Sequence, residues 1–301
     1  MKHILLAACA VAILSGCGSQ GKQAAPTGNP FLSEYTTPFQ VPPFDQIKME
    51  HYKPAFLQGM EEQQKEIDAI VNNPEPATFQ NTIAALDQSG ALLRKVSTVF
   101  YGLKSANTND EMDALSRELS PLQSKHSDDI ALNEKLFARI KAVYDRKDQL
   151  TLNGEDSMLL QKTYDGFIRS GANLQGEAKE KYRRLNTELS VLALRFSQNL
   201  LKETNNYELS LTTSQLEGLP ESMLESYAQT AKEKGKEGNI ITLDAPSFIP
   251  FMKYCKDRTL RQQLYMAYNT QCTHDNEYNN MDIIKQLVNI LSLIHISEPT
   301  R

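Results

Sequence analysis

Residues 175–203 read QGEAKEKYRRLNTELSVLALRFSQNLLKE, and this stretch indicates the fold most directly. Large apolar side chains recur every three or four residues along it, at Tyr182, Leu185, Leu189, Leu192, Phe196 and Leu200. This spacing gathers them on one helical face, so we predict a long helix from about Gln175 to Glu203 that packs against an antiparallel neighbour. A free coiled coil is the alternative. Other segments carry matching stripes and short connections, which favours a helical bundle.

Two helices are predicted near the start of the mature chain. Pro54 can occupy the first position of a helix that stops at Asn72-Asn73-Pro74. Thr78 can cap a second helix, whose apolar stripe extends from Phe79 to Phe100. The period of the α-helix therefore dominates this region.

Three further helix boundaries are predicted before the long helix. Thr108-Asn109-Asp110-Glu111 has the form of a capping box, in which the Thr and Glu side chains satisfy free backbone N–H groups. Asn133 can begin the next helix. A helix from Glu155 to Arg169 can end at Gly171 in the left-handed conformation.

The period changes after residue 206. Tyr207, Leu209 and Leu211 alternate, and Asn239 to Leu243 is a second short β-branched segment, so we predict a small paired sheet. Residues 220–234 between them indicate a helix, and helix returns after Pro250. The predicted fold class is mainly α, a multi-helix lobe with a small β insert.

The composition is that of a folded globular protein. The 301 residues include 32 Lys+Arg against 37 Asp+Glu, a net charge of -5, and 40% are hydrophobic. The mild acidity offers no basic stripe for a phosphate backbone, so no nucleic-acid partner is expected.

Residues 1–16 resemble a lipoprotein signal peptide. A short basic start and an apolar run too short to span a bilayer precede Leu14-Ser15-Gly16-Cys17, which resembles the bacterial lipobox. We therefore expect cleavage before Cys17, lipid attachment at its thiol, and a polar tether over residues 17–30. An ordinary signal peptide with an incidental cysteine is the alternative.

The residues after Cys17 suggest where the anchored protein resides. Gly18 replaces the aspartate that retains lipoproteins in the inner membrane, which favours the outer membrane by resemblance to that sorting rule. An acidic stretch of the kind associated with surface export does not follow Cys17. We expect a cell-envelope protein that faces the periplasm and contacts the membrane through its lipid anchor.

Cys255 and Cys272 remain once the signal peptide is removed and Cys17 is acylated. Two unpaired buried thiols are the preferred prediction. Because neither cysteine belongs to a Cys-x-x-Cys pair, the sequence indicates neither redox catalysis nor a zinc ribbon. A disulfide between them, which an oxidising periplasm would permit, is the alternative.

The residues themselves predict no catalytic residue and no metal ligand in this chain. None of the five histidines begins a His-Glu-x-x-His helix, and no nucleophile elbow or phosphate-binding loop is present in the sequence. His274 and Glu277 are spaced as two ligands on one helical face could be, but a solvated pair is preferred. His126 continues an apolar stripe and is predicted to be a packed histidine. Residues 50–52, Glu-His-Tyr, are predicted to start a helix rather than to form a catalytic dyad.

Several blocks of the sequence stand out in order along the chain. They are Asn29-Pro30, residues 44–56 (FDQIKMEHYKPAF), 78–83 (TFQNTI), 106–112 (ANTNDEM), 169–174 (RSGANL), 186–190 (NTELS), 246–248 (PSF) and 258–268 (RTLRQQLYMAY). In this order they resemble the thimet oligopeptidase and peptidyl-dipeptidase family of zinc metallopeptidases. The resemblance covers about Asn29 to Ile290 and is nearly free of gaps, which makes it specific although each block alone would be weak.

The resemblance implies a helical peptidase with two lobes that face a channel. Its zinc ion, held by a His-Glu-x-x-His helix and a later Glu, activates water against a bond in a short peptide. Residues 31–257 would form the helical N-terminal lobe, and residues 258–290 would begin the catalytic domain. Because the zinc motif has no counterpart here, we expect this chain to be an inactive part of a longer enzyme that is monomeric at full length.

Residues 291–301 depart from the family pattern. Ser292 to Arg301 resembles the translation of a sequencing adapter, and Pro299 together with the loss of helical phase is consistent with a non-native tail. A genuine divergent terminus is the alternative. For the protein's function, the alternative to the peptidase is a non-catalytic helical lipoprotein that binds peptides or acts as a scaffold.

Overall fold

The computed structural model describes residues 28–297. The predicted signal peptide, Cys17 and most of the tether lie outside the described residues, as do residues 298–301. Among the described residues, no helix has the length and apolar character needed to cross a membrane.

The described chain is mainly α-helical with one small sheet, which confirms the predicted fold class. The helices are α1 Met49–Val71, α2 Ala85–Gln88, α3 Ala91–Ala106, α4 Asp110–Ala131, α5 Glu134–Tyr144, α6 Gly154–Arg169, α7 Gly176–Asn206, α8 Glu221–Glu233, α9 Ala245–Tyr254, α10 Arg258–Asn269 and α11 Met281–Ser297. The strands are β1 Leu209–Leu211 and β2 Asn239–Ile241, and short 3₁₀ turns occur at Pro30–Leu32, Pro38–Gln40, Lys147–Gln149 and Thr213–Leu216.

Helix α7 is the long helix predicted from its apolar seam. It packs against α4 on one side and α11 on the other. Its seam residues Leu185, Leu189, Leu192 and Phe196 form a core with Ile283, Leu287, Ile290 and Ile294 of α11. Most of the seam therefore packs against a neighbouring helix, as the helical-bundle interpretation requires, although Leu200 at its end is exposed.

Buried polar contacts fix α7 between its two neighbours. The Arg117 Nη1 atom of α4 donates to Gln198 Oε1 at 3.0 Å, and Gln198 Nε2 donates to the Asp113 carbonyl at 3.2 Å. Towards α11, Asn199 Nδ2 donates to Asn280 Oδ1 at 2.9 Å. Since buried polar groups must be paired, these bonds specify one position of α7 against α4 and the segment that precedes α11.

Two cores lie along α1. At its first half, aromatic residues from α1 and α3 pack with α4, and the fully buried members include Phe31, Phe56, Phe100 and Leu119. At its second half, residues of α5, α6 and the segment before α2 form another core, which includes Ile67, Ile83, Leu136, Ile140 and Leu160. A cleft opens between α4 and α6, and it is described in the next section.

Helix α1 begins at Met49, so the prediction that Pro54 is its first residue is wrong. The His51 side chain caps this start, because its Nδ1 atom accepts from the Lys48 N–H at 3.0 Å. Pro54 therefore lies in the second turn, where its missing N–H removes only one intrahelical bond. Residues 50–52 start a helix, as predicted.

The predicted second helix is divided into two. Thr78 caps it as expected, through the bond from the Asn81 N–H to its Oγ1 at 3.1 Å, but the first turns at Phe79–Ala84 are π-helical. The run then breaks at Ser89, and Gly90 adopts a φ of +71° before α3 begins. The apolar stripe continues on the same helical face after the break, so the sequence pattern does not reveal that the helix is interrupted.

The predicted capping box at Thr108 is not formed. Asn109 is the N-cap of α4, since its Oδ1 accepts from the Met112 N–H at 2.8 Å. Thr108 Oγ1 instead donates to Asp113 Oδ1 at 3.2 Å. Asn and Thr are both good caps, and here the buried Asp113 engages the threonine.

The predicted β insert is confirmed. Strands β1 and β2 are antiparallel, with Leu209 opposite Ile241 and Leu211 opposite Asn239. Helix α8 lies between them in sequence, and Gly235 follows it with a φ of +67°. Helix α9, however, begins at Ala245 rather than after Pro250, which lies inside it. A proline in its first turn, Pro246, accounts for this earlier start.

Helix α11 continues to Ser297, so the expected loss of helix after Ile290 is wrong. Ile294 packs against the α7 seam, in phase with Ile283, Leu287 and Ile290. The proposed foreign origin of residues 291–301 stays a prediction.

The close approach of α1 and α3 yields a test of the packing. A Cβ atom on Gly59 would lie 2.8 Å from the backbone N and Cα of Leu93, which cannot move like a flexible side chain. Gly59→Ala is therefore expected to lower the free energy of unfolding by about 1–3 kcal/mol. Gly102→Ala is the matched control, because that exposed helical glycine has open space and alanine should stabilise by up to about 1 kcal/mol. Urea unfolding measures both, and equal effects of the same sign would contradict the packing.

Candidate functional site

The cleft between α4 and α6 has a volume of about 620 Å³. Apolar and polar side chains both line it, a mixture typical of clefts that bind small ligands. Its floor comes from α1, α2 and α3. The lining includes Gln63, Leu86, Leu93, Gln123, His126, Ile130, Lys162, Thr163, Gly166 and Phe167.

A polar chain crosses the floor of this α4–α6 cleft. His126 Nε2 lies 2.8 Å from Gln63 Oε1, and Gln63 Nε2 donates to Ser89 Oγ at 3.3 Å. Ser89 Oγ in turn donates to the Leu86 carbonyl at 2.7 Å. The chain joins α4, α1 and the α2–α3 break, so His126 is the packed histidine that the sequence predicts.

Burial lowers the pKa of His126, while the nearby Asp129 charge raises it and Lys125 lowers it. The imidazole is therefore neutral at pH 7, and a neutral ring whose Nε2 donates to Gln63 leaves Nδ1 as an acceptor. His126 can position a polar ligand in the cleft. The cleft also contains the hydroxyl groups of Ser97, Ser127, Thr163 and Ser170, but the hydrogen bond of His126 goes to Gln63 and not to any of them.

A second groove, of about 460 Å³, lies between α4 and α7. Gln123 and Ser127 of α4 line both the groove and the α4–α6 cleft. Hydroxyl and amide side chains dominate the groove, namely Tyr101, Ser120, Gln123, Ser124, Ser127, Asn186 and Ser190. Such groups both donate and accept hydrogen bonds, as the backbone of a peptide does.

Asp128 is buried at the edge of this groove. Asn186 Nδ2 donates to its Oδ1 at 2.9 Å, whereas its Oδ2 has no hydrogen-bond partner among the described residues. Burial raises the pKa of Asp128, against the lowering effects of Asn186 and Arg183. The neighbouring Asp129 behaves oppositely: burial would raise its pKa, but Lys125 at 2.5 Å and Arg183 at 2.6 Å lower it.

This contrast predicts a pH-dependent effect of Asp128→Asn. The folded state holds the Asp128 proton more strongly than the unfolded chain, so ionisation costs stability as pH rises through and above the unfolded pKa of about 3.9. Asp128→Asn should therefore raise the free energy of unfolding at pH 7, by on the order of 1 kcal/mol, and the gain should vanish below about pH 4. Asp129→Asn is the control and should destabilise at pH 7. Denaturant unfolding at pH 7 and below about pH 4 measures the stability of both variants. If both substitutions destabilise the protein at pH 7, the raised pKa assigned to Asp128 is contradicted.

Relatives of known activity cover most of this chain. It is 38% identical over 266 residues to the dipeptidyl carboxypeptidase of Escherichia coli, a match that covers 88% of the chain. It is 29% identical over 269 residues to the oligopeptidase A of the same organism, and 29% identical over 233 residues to a thimet-like oligopeptidase of Dictyostelium discoideum. No family model matches the chain.

The chain belongs to the thimet oligopeptidase and peptidyl-dipeptidase family. The resemblance drawn from the ordered sequence blocks is thereby confirmed. The chain spans 39% of the length of both Escherichia coli relatives, and 34% of the Dictyostelium relative.

For a member of this peptidase family, the described residues lack a metal centre. No group of three or more His, Cys, Asp and Glu side chains within residues 28–297 is arranged to hold a metal ion. A catalytic zinc ion needs about three protein ligands and an open position for water. The α4–α6 cleft and the adjoining groove have polar linings, but the described residues provide no such ligand set in either of them.

In the structure His274 contacts Glu203 rather than Glu277, the residue with which the sequence suggested it could share a metal ion. His274 Nδ1 lies 2.7 Å from Glu203 Oε1, and Asn276 Nδ2 donates to Glu203 Oε2 at 3.0 Å. Glu277 is exposed and does not join this contact. Both oxygens of Glu203 are thus engaged, and the arrangement fastens the loop before α11 to the end of α7.

The two cysteines are buried free thiols, as predicted. Burial raises the pKa of Cys255 and of Cys272, which keeps both thiols protonated and unreactive. A role in redox catalysis is therefore not indicated for either residue.

Sequence reasoning did not find the groove or the buried Asp128. The available signal was the stripe of small hydroxyl residues on α4, at Ser116, Ser120, Ser124 and Ser127, which recur every three or four positions. Such a stripe is polar, so a search for apolar helical faces passes over it. Asn186, the hydrogen-bond partner of Asp128, lies 58 positions away along the chain, so no local pattern could indicate their contact.

Proposed function

We propose that this chain is the helical part of a lipid-anchored zinc metallopeptidase that hydrolyses short peptides. The observation that carries the proposal is the 38% identity to a dipeptidyl carboxypeptidase over 88% of the chain. Because the chain spans 39% of that relative, most of a comparable enzyme lies outside it. The α4–α6 cleft and the adjoining groove supply surfaces lined by hydrogen-bonding groups that suit peptides.

The zinc ion belongs, in this proposal, to polypeptide outside this chain. Among residues 28–297, His274 and Glu203 form a close histidine–carboxylate pair, and Asn276 already donates to the second carboxylate oxygen. Two groups of this kind do not suffice for a catalytic zinc site. The residues of this chain would therefore bind and orient peptide, and the residues that hold zinc would come from the remainder of the enzyme.

Dipeptide release is the activity to test first. The identity to dipeptidyl carboxypeptidase, 38%, exceeds the identity to oligopeptidase A, 29%, from the same organism. The uninterrupted gene product should bind one zinc ion and release dipeptides from the C-terminus of short blocked peptides. A chelator should abolish this activity and added zinc should restore it. A gene product without zinc or hydrolysis would contradict the proposal and favour the scaffold lipoprotein.

Lipid attachment at Cys17 would hold the protein at the periplasmic face of the outer membrane. The lipobox-like sequence before Cys17 and the polar residues after it support this part of the proposal. The wild-type protein should incorporate labelled palmitate and sediment with the outer membrane. The Cys17→Ser variant should lose both the label and the membrane association. Equal labelling of both proteins would exclude Cys17 as the attachment site.

A further inference from the structure

Helix α11 carries an apolar surface that is wider than the area that α7 covers. The inner residues Ile283 and Ile290 are buried against the α7 seam, at 4% and 5% exposure. Met281, Ile284 and Val288 lie beside them but remain 45%, 42% and 60% exposed. All three precede the segment whose origin is in question, so they carry the argument without it.

The helical geometry shows that this pattern is continuous. At about 100° per residue, the inner and outer positions together occupy about half of the helix circumference. Asp282, Lys285, Gln286 and Asn289 fill the other half. A helix that packs against a single neighbour needs an apolar arc of only about 100°. Helix α11 is therefore patterned for two neighbours, and α7 supplies one of them within residues 28–297.

The composition of α11 supports the same reading. From Gln286 to Ile290 the helix contains no charged residue, although Gln286, Val288 and Asn289 are exposed to solvent. Single exposed apolar side chains are ordinary on protein surfaces, but adjacent ones without charge mark a contact surface. The exposed residues adjoin the α7–α11 core directly, so a covering element would extend an existing core rather than begin a new one.

We propose that Met281, Ile284 and Val288 form a docking face for an apolar helix of the same protein, located in polypeptide that this chain does not include. The inference rests on the proposed function, in which this chain is part of a longer peptidase. A relative such as dipeptidyl carboxypeptidase contains ample further polypeptide, since the chain spans 39% of it.

A second copy of this chain is the competing occupant, and the size of the face argues against it. Stable protein–protein interfaces bury roughly 800 Å² per partner. Three side chains on one helix supply far less than this. An intramolecular contact can be small, because the connected chain does not pay the entropy of association.

Cysteine labelling tests the docking face directly. Val288→Cys and the control Asn289→Cys, on the polar side of the same helix, would be prepared in this chain and in the product of the uninterrupted gene, both expressed from Gly18 onward so that Cys9 and Cys17 are absent. The native Cys255 and Cys272 are buried and should react slowly with a maleimide. We expect Cys at 288 to react at least tenfold more slowly in the longer protein than in this chain, and Cys at 289 to react similarly in both.

Three results would overturn the docking face. Equal labelling at 288 in both proteins would mean that nothing covers it, and concentration-dependent protection in this chain alone would assign the face to a second copy. A gene without further polypeptide would remove the proposed occupant. Zinc content and hydrolysis measured on the same longer protein separate the two proposals, because protection at 288 without zinc would refute the peptidase and leave the docking face intact.

Discussion

The mature chain, residues 17–301, is expected to hydrolyse no short peptide and to bind no stoichiometric zinc. The physical reason is that residues 28–297 contain no cluster of three or more potential metal ligands. Without the metal, the family's chemistry would lose both its activated water and the Lewis acid that polarises the scissile carbonyl. The expected loss relative to a complete family member is therefore the whole measurable rate.

The measurement is release of dipeptides from blocked peptides, with Escherichia coli dipeptidyl carboxypeptidase as the positive control and metal analysis of the dialysed chain. Cleavage that copurifies with the chain and resists a chelator would indicate a contaminating enzyme of another class. Chelator-sensitive cleavage that zinc restores, at one zinc ion per chain, would contradict the expectation and require ligands that the described residues do not provide.

Phe100→Ala is expected to have the largest effect on stability. Phe100 is fully buried, and its ring centroid lies 5.1 Å from that of Tyr52, 5.5 Å from that of Phe56 and 5.1 Å from that of Tyr101. Truncation would leave a cavity among side chains from α1, α3 and α4, and these three helices cannot all move inward to fill it. The expected loss is about 3–5 kcal/mol in the free energy of unfolding.

Phe39→Ala is the matched control, because Phe39 is 99% exposed and loses the same atoms. Its effect should stay within about 0.5 kcal/mol. Urea unfolding followed by circular dichroism measures both variants. Similar unfolding midpoints for the two variants would contradict the placement of Phe100 in the core at the first half of α1.

The sequence predicts those parts of the fold that a local pattern determines. The seam of α7, the paired strands and the left-handed Gly171, whose φ is +82°, all follow from spacing or from one residue type. In each case a local pattern indicates the element itself, even where its packing or pairing partner is distant in sequence, as Ile241 is from Leu209.

The sequence does not predict features that depend on distant partners. The Ser89–Gly90 break depends on α1, where Glu66 Oε2 accepts from the Gly90 N–H at 2.7 Å. The α4–α6 cleft lies between helices that are distant in sequence, so no local signal marks it.

The family resemblance predicts more than the local patterns do, because it draws on ordered blocks along the whole chain. It is confirmed by relatives that match up to 89% of the chain. It carries no residue-level site to this chain, since the zinc motif has no counterpart in the sequence. The candidate binding surfaces therefore had to come from the structure.

The genomic DNA downstream of the codon for Ile290 tests the central claim most directly. We predict that the reading frame continues into a helix with a His-Glu-x-x-His motif and a later Glu, and that it diverges from the sequence of residues 292–301. A stop codon directly after the codon for Arg301 would contradict the account, because the protein would then lack the residues that hold zinc.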